Sequence, residues 1–272
     1  MIGSLPKLYS HSQHEHSKLT NKLLGVVMEP GRRDFKAAVV VFGESSQALA
    51  QHIEKRAQEL LKRFSHLNPD SEWLQGQGTP VIAVLQGDSN HIGLNSLLEY
   101  ECVFLAGALD AEYVEKCRHY LQRQDLEKGP FVFLLPVNEP GTDNLHKGET
   151  LIRKECGDCL DFELVAEFVH DFCAFLMFPN EISADAREYY GLMAGKSIKL
   201  SYLRIDPGTP GAKLRLQTGV KDLFFVLFVD SQQQVLATAS EILQTFESEG
   251  IENIWFSDVC MSSVSKIMCL YC

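Results

Sequence analysis

Between Lys36 and Pro136, four short apolar runs alternate with helical patterns, and that rhythm leaves few folds open. The runs are KAAVVVFG (Lys36–Gly43), Val81–Leu85, Cys102–Leu105 and FVFLLP (Phe131–Pro136). They are continuously apolar, as expected for strands buried on both faces. Ser45–Leu67 reads as a long amphipathic helix, with Ser45 or Ser46 as N-cap and Leu49, Ile53, Leu60, Leu61 and Phe64 on its apolar stripe. Leu94–Tyr100 and Ala111–Gln124 read as two further helices. Strands that alternate with helices pair in parallel through crossovers. Residues 36–137 are therefore predicted to be a small doubly wound sheet.

The rest of the chain follows another pattern. Asn138–Gly157 is polar, carries Pro140, Gly141 and Gly148, and reads as a surface loop. Asp161–Phe178 is apolar over most of its circumference, the mark of a helix buried between layers, and Pro179 ends it. Ala184–Ala194 is a short helix, Ile198–Ile205 a strand and Asp206–Gly211 a turn-rich loop. Leu223–Val229 is another buried strand and Val235–Ser248 an amphipathic helix. Ile254–Val259 and Lys266–Tyr271 are predicted to pair antiparallel through Met261–Ser263. Four segments result: a flexible polar tail (1–20), an α/β part (21–150), a central helix (151–180) and an α+β part with a mixed sheet (181–272).

In parallel α/β proteins, ligands bind where strands run out into helices. Tyr100–Cys117 (YECVFLAGALDAEYVEKC) holds such a turn. A phosphate site there needs several glycines, so that backbone N–H groups approach the oxygens without Cβ clashes. This turn has Gly107 alone, followed by Leu109, Asp110 and Glu112. The place suits a nucleotide, but two carboxylates would repel its phosphates. They also suit a solvated helix start that complements the helix dipole.

Net charge is −11, which opposes broad binding to nucleic acid or anionic membrane. No apolar run reaches the length of a membrane span, and the N-terminal residues lack the apolar region of a signal peptide. Cys102, Cys117, Cys173 and Cys260 fall in apolar segments, as buried free thiols do in a reducing compartment, so a cytoplasmic protein is expected. Cys156/Cys159 and Cys269/Cys272 are C-x-x-C pairs that could hold zinc. The pairs lie far apart in sequence, unlike a zinc ribbon, and the plainer reading is a chance loop pair plus a strand thiol. His11, His14 and His16 offer a weak chelating tail. His170 reads as a core histidine.

The order of elements resembles the tubulin/FtsZ superfamily, FtsZ more than tubulin. The resemblance rests first on Phe168–Val259. There a helix ends in Pro179, followed by Asn180-Glu181-Ile182-Ser183-Ala184-Asp185, the short helix AREYYGLMAG and the strand SIKLSYLRI. Gly219-Val220-Lys221-Asp222 before LFFVLFV, the helix EILQTFESEG, and the strands IENIWFSDV and SKIMCLY are similar to the FtsZ C-terminal subdomain. AAVVVFGESSQALAQHI, LLEYECVFLAGALDAEYVEKC and FVFLLP resemble its nucleotide-binding half.

The resemblance implies an FtsZ/tubulin-like fold: a parallel Rossmann-like sheet subdomain, a central buried helix and a mixed-sheet α+β C-terminal subdomain. Family signatures are altered at two places. The glycine-rich G-G-G-T-G-T-G loop is Ala106–Glu112 here. In the N-x-D-x-x-D loop, Asn180 and Asp185 match but the first acid is Ile182. The resemblance thus implies a degenerate GTPase acting through protein–protein interaction in a cell-division or cytoskeletal setting, with itself or an FtsZ-type protein as partner and no cofactor. The alternative is an α/β protein that still binds GTP, GDP or another small ligand, with weak GTPase activity, near Gly43, Ser45, Ser46, Gly107 and Asp110.

Overall fold

The computed structural model describes residues 31–32, 34–66, 74–75, 80–87, 93–109, 112–122, 129–138, 144–155, 159–178, 186–205, 216, 219–229, 235–260 and 266–272. His11, His14, His16, Asp110, Cys156, Asn180, Ile182 and Asp185 lie outside them, as do the segments 206–211 and 261–263 predicted as turns.

The strands in chain order are β1 (Gly31–Arg32), β2 (Lys36–Phe42), β3 (Leu74–Gln75), β4 (Val81–Gln86), β5 (Cys102–Gly107), β6 (Phe131–Pro136), β7 (Glu149–Lys154), β8 (Ser197–Arg204), β9 (Asp222–Val229), β10 (Asn253–Cys260) and β11 (Lys266–Tyr271). The helices are α1 (Ser46–Ser65), α2 (Glu112–Leu121), α3 (Phe162–Met177), α4 (Ala186–Met193) and α5 (Val235–Ser248), with a 3₁₀ turn at Leu94–Glu99. β1 and β3 form a separate parallel pair.

The other nine strands make one sheet in the order β10-β9-β11-β8-β7-β6-β5-β2-β4. From β4 to β8 every pairing is parallel. β11 then runs antiparallel to both β8 and β9, and β10 pairs parallel with β9. The parallel and mixed halves thus join edge to edge through Leu151↔Ser197 and the three pairs that follow.

Helices cover both faces of the sheet. On one face α1 and α3 pack over both halves, against Val39, Phe104, Phe133, Ile152, Leu200, Val226 and Met268. On the other face α2 covers the parallel half, over Val40, Leu105 and Leu134. There α5 covers the mixed half, over Phe225, Ile267 and Tyr271. The side-chain period of two sends alternate residues of each run to opposite layers. This is why β2, β5, β6 and β9 are apolar along their buried lengths, with Lys36 and Asp222 only at strand starts.

The central helix starts on a side-chain cap that the sequence reading did not name. The Asp161 carboxylate accepts from the Leu164 N–H at 2.8 Å, a side-chain N-cap. Phe168 and Phe172 pack edge-on to Phe104 and Phe133. The helix also carries charge inward. Lys266 of β11 reaches Glu167 at 2.6 Å and Asp171 at 2.5 Å, and His170 Nδ1 lies 2.8 Å from the other Asp171 oxygen. α3 is thus pinned to the mixed half by an ion cluster. At its exposed start, Glu163 ties it to His52 and Arg56 of α1, both at 3.0 Å.

Three expectations are corrected. The polar segment 138–157 contains strand β7, and its Glu149 and Thr150 are buried. β10 and β11 are not a hairpin: β11 lies between β8 and β9, and β10 is an edge strand. Ile267–Tyr271 is buried on both faces, so it takes the interior position, while partly exposed Ile254, Trp255 and Phe256 suit the edge. β4 is also an edge strand, with Val81 41% exposed, not a buried one.

Candidate functional site

The parallel strands give the sheet an upper end, where their carboxyl termini lie, and a lower end. At the upper end β2 and β5 finish side by side, with Phe42 in register with Gly107. Gly43, Ser45, Ser46 and Gly107 therefore come together at the ends of two adjacent strands. Gly43 has φ +89° and Gly107 φ +109°, values that favour glycine.

The contacts around these glycines are within the fold. A Cβ on Gly107 would lie 2.2 Å from the Phe42 carbonyl oxygen, and one on Gly43 would lie 2.8 Å from the Ala108 Cβ. The Ala108 N–H donates to that same Phe42 carbonyl at 3.3 Å, and the Ser46 N–H to the Gly43 carbonyl at 3.0 Å. Both glycines let two turns pack against each other. A phosphate cradle would need such N–H groups pointing outward.

The helix starts beside these turns differ in charge. α1 has no acidic residue in its first turn, and Ser45 at its N-cap makes no side-chain capping bond. α2 begins with Glu112, whose carboxylate is 2.8 Å from Lys116 one turn on. The Lys116 hydrogen bond, with its charge, holds the Glu112 carboxyl below its ordinary value. Glu112 is exposed and sits as a solvated charge at a helix start.

Cys102, Cys117, Cys159, Cys173, Cys269 and Cys272 are free thiols. Burial pushes the Cys117 thiol up to about 11, away from thiolate reactivity. Cys269 and Cys272 are three residues apart at the end of β11, which sends them to opposite faces. Cys269 joins the α5 layer, and Cys272 lines a cleft with Leu270 and Trp255. That cleft opens under α4 at the lower end and is mostly apolar, with Met193, Ile198 and Phe224 in its wall.

The lower end of the parallel half is built from buried charge. Arg118 on α2 and Glu149 at the start of β7 are both 4% exposed. They form a two-pronged pair, Nε to Oε1 at 2.9 Å and Nη2 to Oε2 at 2.8 Å. The other arm of Arg118 donates to Glu115 at 2.8 Å. Burial works to lower the guanidinium's pKa, but the hydrogen bonds and charges of Glu149 and Glu115 outweigh it and the net direction is up. The backbone N–H of His146 donates to Glu149 at 2.8 Å. Tyr190 of α4 accepts from the Val132 N–H at 2.7 Å and donates to the Gly148 carbonyl.

Sequence reasoning missed this cluster. One signal was present: Arg118 lies one turn beyond Val114 and beside Cys117 and Leu121, on the stripe of α2 that faces the core.

Neither a family model nor a curated protein matches the chain in sequence. Solved structures do match it in shape. FtsZ of M. jannaschii, as a W319Y mutant, aligns with TM-score 0.54 at 11% identity, over 96% of this chain and 94% of that one. The same protein as an empty dimer aligns with TM-score 0.54 at 10% identity, over 97% and 92%. CetZ2 of Haloferax volcanii, as a GTPγS-bound protofilament, aligns with TM-score 0.51 at 14% identity, over 87% and 92%. The chain has the tubulin/FtsZ fold: a mostly parallel sheet with helices and a mixed-sheet C-terminal part. Among the described residues, no helix is long and apolar enough to cross a membrane.

Proposed function

We propose that this chain is a tubulin-like cytoskeletal protein of a cell-division or filament setting. In this reading it has lost GTP hydrolysis and works by assembling with itself or with an FtsZ-type protein. The observation that carries the reading is the turn after β5. Gly107 makes room for the Phe42 carbonyl, and the Ala108 N–H is spent on it. A turn closed in this way offers phosphate oxygens little backbone to bind, and the acids that follow add repulsion. Ile182, in place of an acid in the loop after the central helix, supports the same reading. Assembly is supported by the fold itself: the M. jannaschii FtsZ is recorded as a dimer and the Haloferax volcanii CetZ2 as a protofilament.

A second reading has an observation of its own. The start of α1 has no acid in its first turn and no side-chain cap, beside Gly43 in a left-handed conformation. Helix starts of that kind accept anions. The reading it favours is a nucleotide or other anionic ligand held there without hydrolysis.

Calorimetry with GTP, GDP and ATP, paired with light scattering of the purified chain, tests both. The first reading expects assembly, alone or with an FtsZ-type protein, that does not depend on GTP, and no phosphate release. Micromolar GTP binding with turnover would sink it. Binding without turnover would establish the second.

A further inference from the structure

At the lower end of the parallel half, away from the turns at Gly43 and Gly107, three potential metal ligands converge. Glu115 and His119 are four residues apart on α2, and so lie on one side of the helix. His146 approaches from the segment before β7. One ligand atom from each lies within 4.8 Å of the other two. His146 Nε2 is already 3.4 Å from the Glu115 Oε1. In a tetrahedral site with bonds of about 2.0–2.1 Å, ligand atoms sit about 3.3 Å apart, so the closing movement needed is small.

The groups behind these ligands are arranged as a metal site needs. A ligating histidine generally turns its second ring nitrogen to a carboxylate, which fixes the ring and raises its basicity. Here the second nitrogen of His146, Nδ1, is buried without a hydrogen-bond partner and faces the Glu149 carboxylate at 3.8 Å. Glu149 is itself fixed by Arg118 and by the His146 backbone. Glu115 is held through its other oxygen: Arg118 takes Oε2, which leaves Oε1 turned toward His146. The His119 and His146 rings stand 5.7 Å apart, tilted by 50°. A simple surface ion pair would explain the Glu115–His146 contact. That contact alone does not account for His119 beside them, or for the buried Nδ1 that faces Glu149 without a hydrogen bond.

We propose that Glu115, His119 and His146 form a site for one divalent transition-metal ion of the zinc type. Glu149 and Arg118 position its ligands. Two imidazoles and a carboxylate are a donor set that suits zinc and leaves a fourth position open. A bound ion would tie α2 to the chain entering β7.

The test uses the full chain, stripped of metal with chelator and titrated with Co²⁺ as a spectroscopic probe and Zn²⁺ as competitor. The expected result is one equivalent bound, with visible bands of a four- or five-coordinate nitrogen–oxygen site and no thiolate charge-transfer band. His119→Ala leaves an exposed position and should not affect folding. It and His146→Ala should each weaken binding about 100-fold or more, and Glu149→Gln about 10–100-fold, the usual range for a supporting residue. If Glu149→Gln does not fold, the exposed His119→Ala decides alone. A thiolate band, unchanged affinity in His119→Ala, or no saturable binding in millimolar metal would each overturn the proposal.

Discussion

The two ends of the parallel half are held by opposite means. At the upper end, β2 and β5 turn into their helices through close backbone packing, with Gly107 against the Phe42 carbonyl and Gly43 against Ala108. At the lower end, α2, β7 and the segment before it are joined by the buried Arg118–Glu149 pair and its neighbours. The first end should be intolerant of one added carbon. The second should be intolerant of a lost charge. The difference teaches where chemistry can sit in this chain. Close backbone packing occupies the described turns at the upper end, while buried ionisable side chains gather at the lower one.

The largest effect should come from the lower end. Arg118→Met leaves Glu149 charged and buried without its counter-ion, and breaking such a pair costs about 3–5 kcal/mol. Chemical denaturation would read this as a large fall in the unfolding midpoint. The double variant Arg118→Met/Glu149→Met should recover most of the loss, because a buried ion pair replaced by apolar groups is often neutral. If the single variant melts like the parent, the lower end is not held by charge and the contrast fails.

The upper-end counterpart is Gly107→Ala. Its φ of +109° is strained for any L side chain, and the new Cβ meets backbone rather than a movable side chain. Strain of about 1–3 kcal/mol and a similar overpacking cost give a loss of roughly 2–6 kcal/mol. The control is Gly93→Ala, whose Cβ would meet nothing within 4 Å and whose φ lies outside the strained range. Its melt should stay within about 0.5 kcal/mol of the parent. Equal losses in both would show that the close approach to Phe42 is not what Gly107 provides.

Tyr190→Phe probes the lower end more gently. It removes the hydroxyl that serves the Val132 N–H and the Gly148 carbonyl, leaving buried backbone groups unpaired. About 1–3 kcal/mol should be lost. Hydrogen exchange should report the loss at the start of β6 and the turn before β7. Exchange that rises only within α4 would argue that the bond serves the helix alone.

These contrasts also explain what the sequence made legible. Continuous apolar runs at β2, β5, β6 and β9 and the nearly all-apolar α3 are large, periodic signals, and the structure has each of those elements. β7 was missed because its burial rests on Glu149 reaching Arg118, thirty-one positions away in sequence. No local pattern records such a partner. The position of β11 was missed because strand order is decided by competition for the sheet interior, and two neighbouring strands in sequence look the same whether or not they pair. At the candidate site, Gly43 and Gly107 were legible as special residues, but what each one's missing Cβ faces was not. The His146 cluster was invisible because two of its residues stand on a helix and the third lies in a segment read as loop.

Asp161 gives the smallest and most specific contrast. It stands at the upper end, where Leu160 bridges to Val137 just beyond β6, and caps α3 through the Leu164 N–H. That hydrogen bond is the main reason its carboxyl is held below the usual aspartate value of 3.8, with Lys154 assisting against burial. A carboxyl whose folded pKa is depressed contributes its stability fully above the unfolded value. The contribution fades as pH falls from there through the lower folded value. Asp161→Ala should therefore cost about 1 kcal/mol at neutral pH, the usual worth of an N-cap. The gap between variant and parent should shrink as pH drops below about 3.8, as linkage requires. Asp161→Asn keeps a capping oxygen that does not titrate, so it should stay close to the parent at neutral pH and lose less on acidification. A gap between Asp161→Ala and the parent that stays constant from neutral pH down to strong acid would mean that the ionised cap is not what starts α3. The upper end would then be held by backbone packing alone.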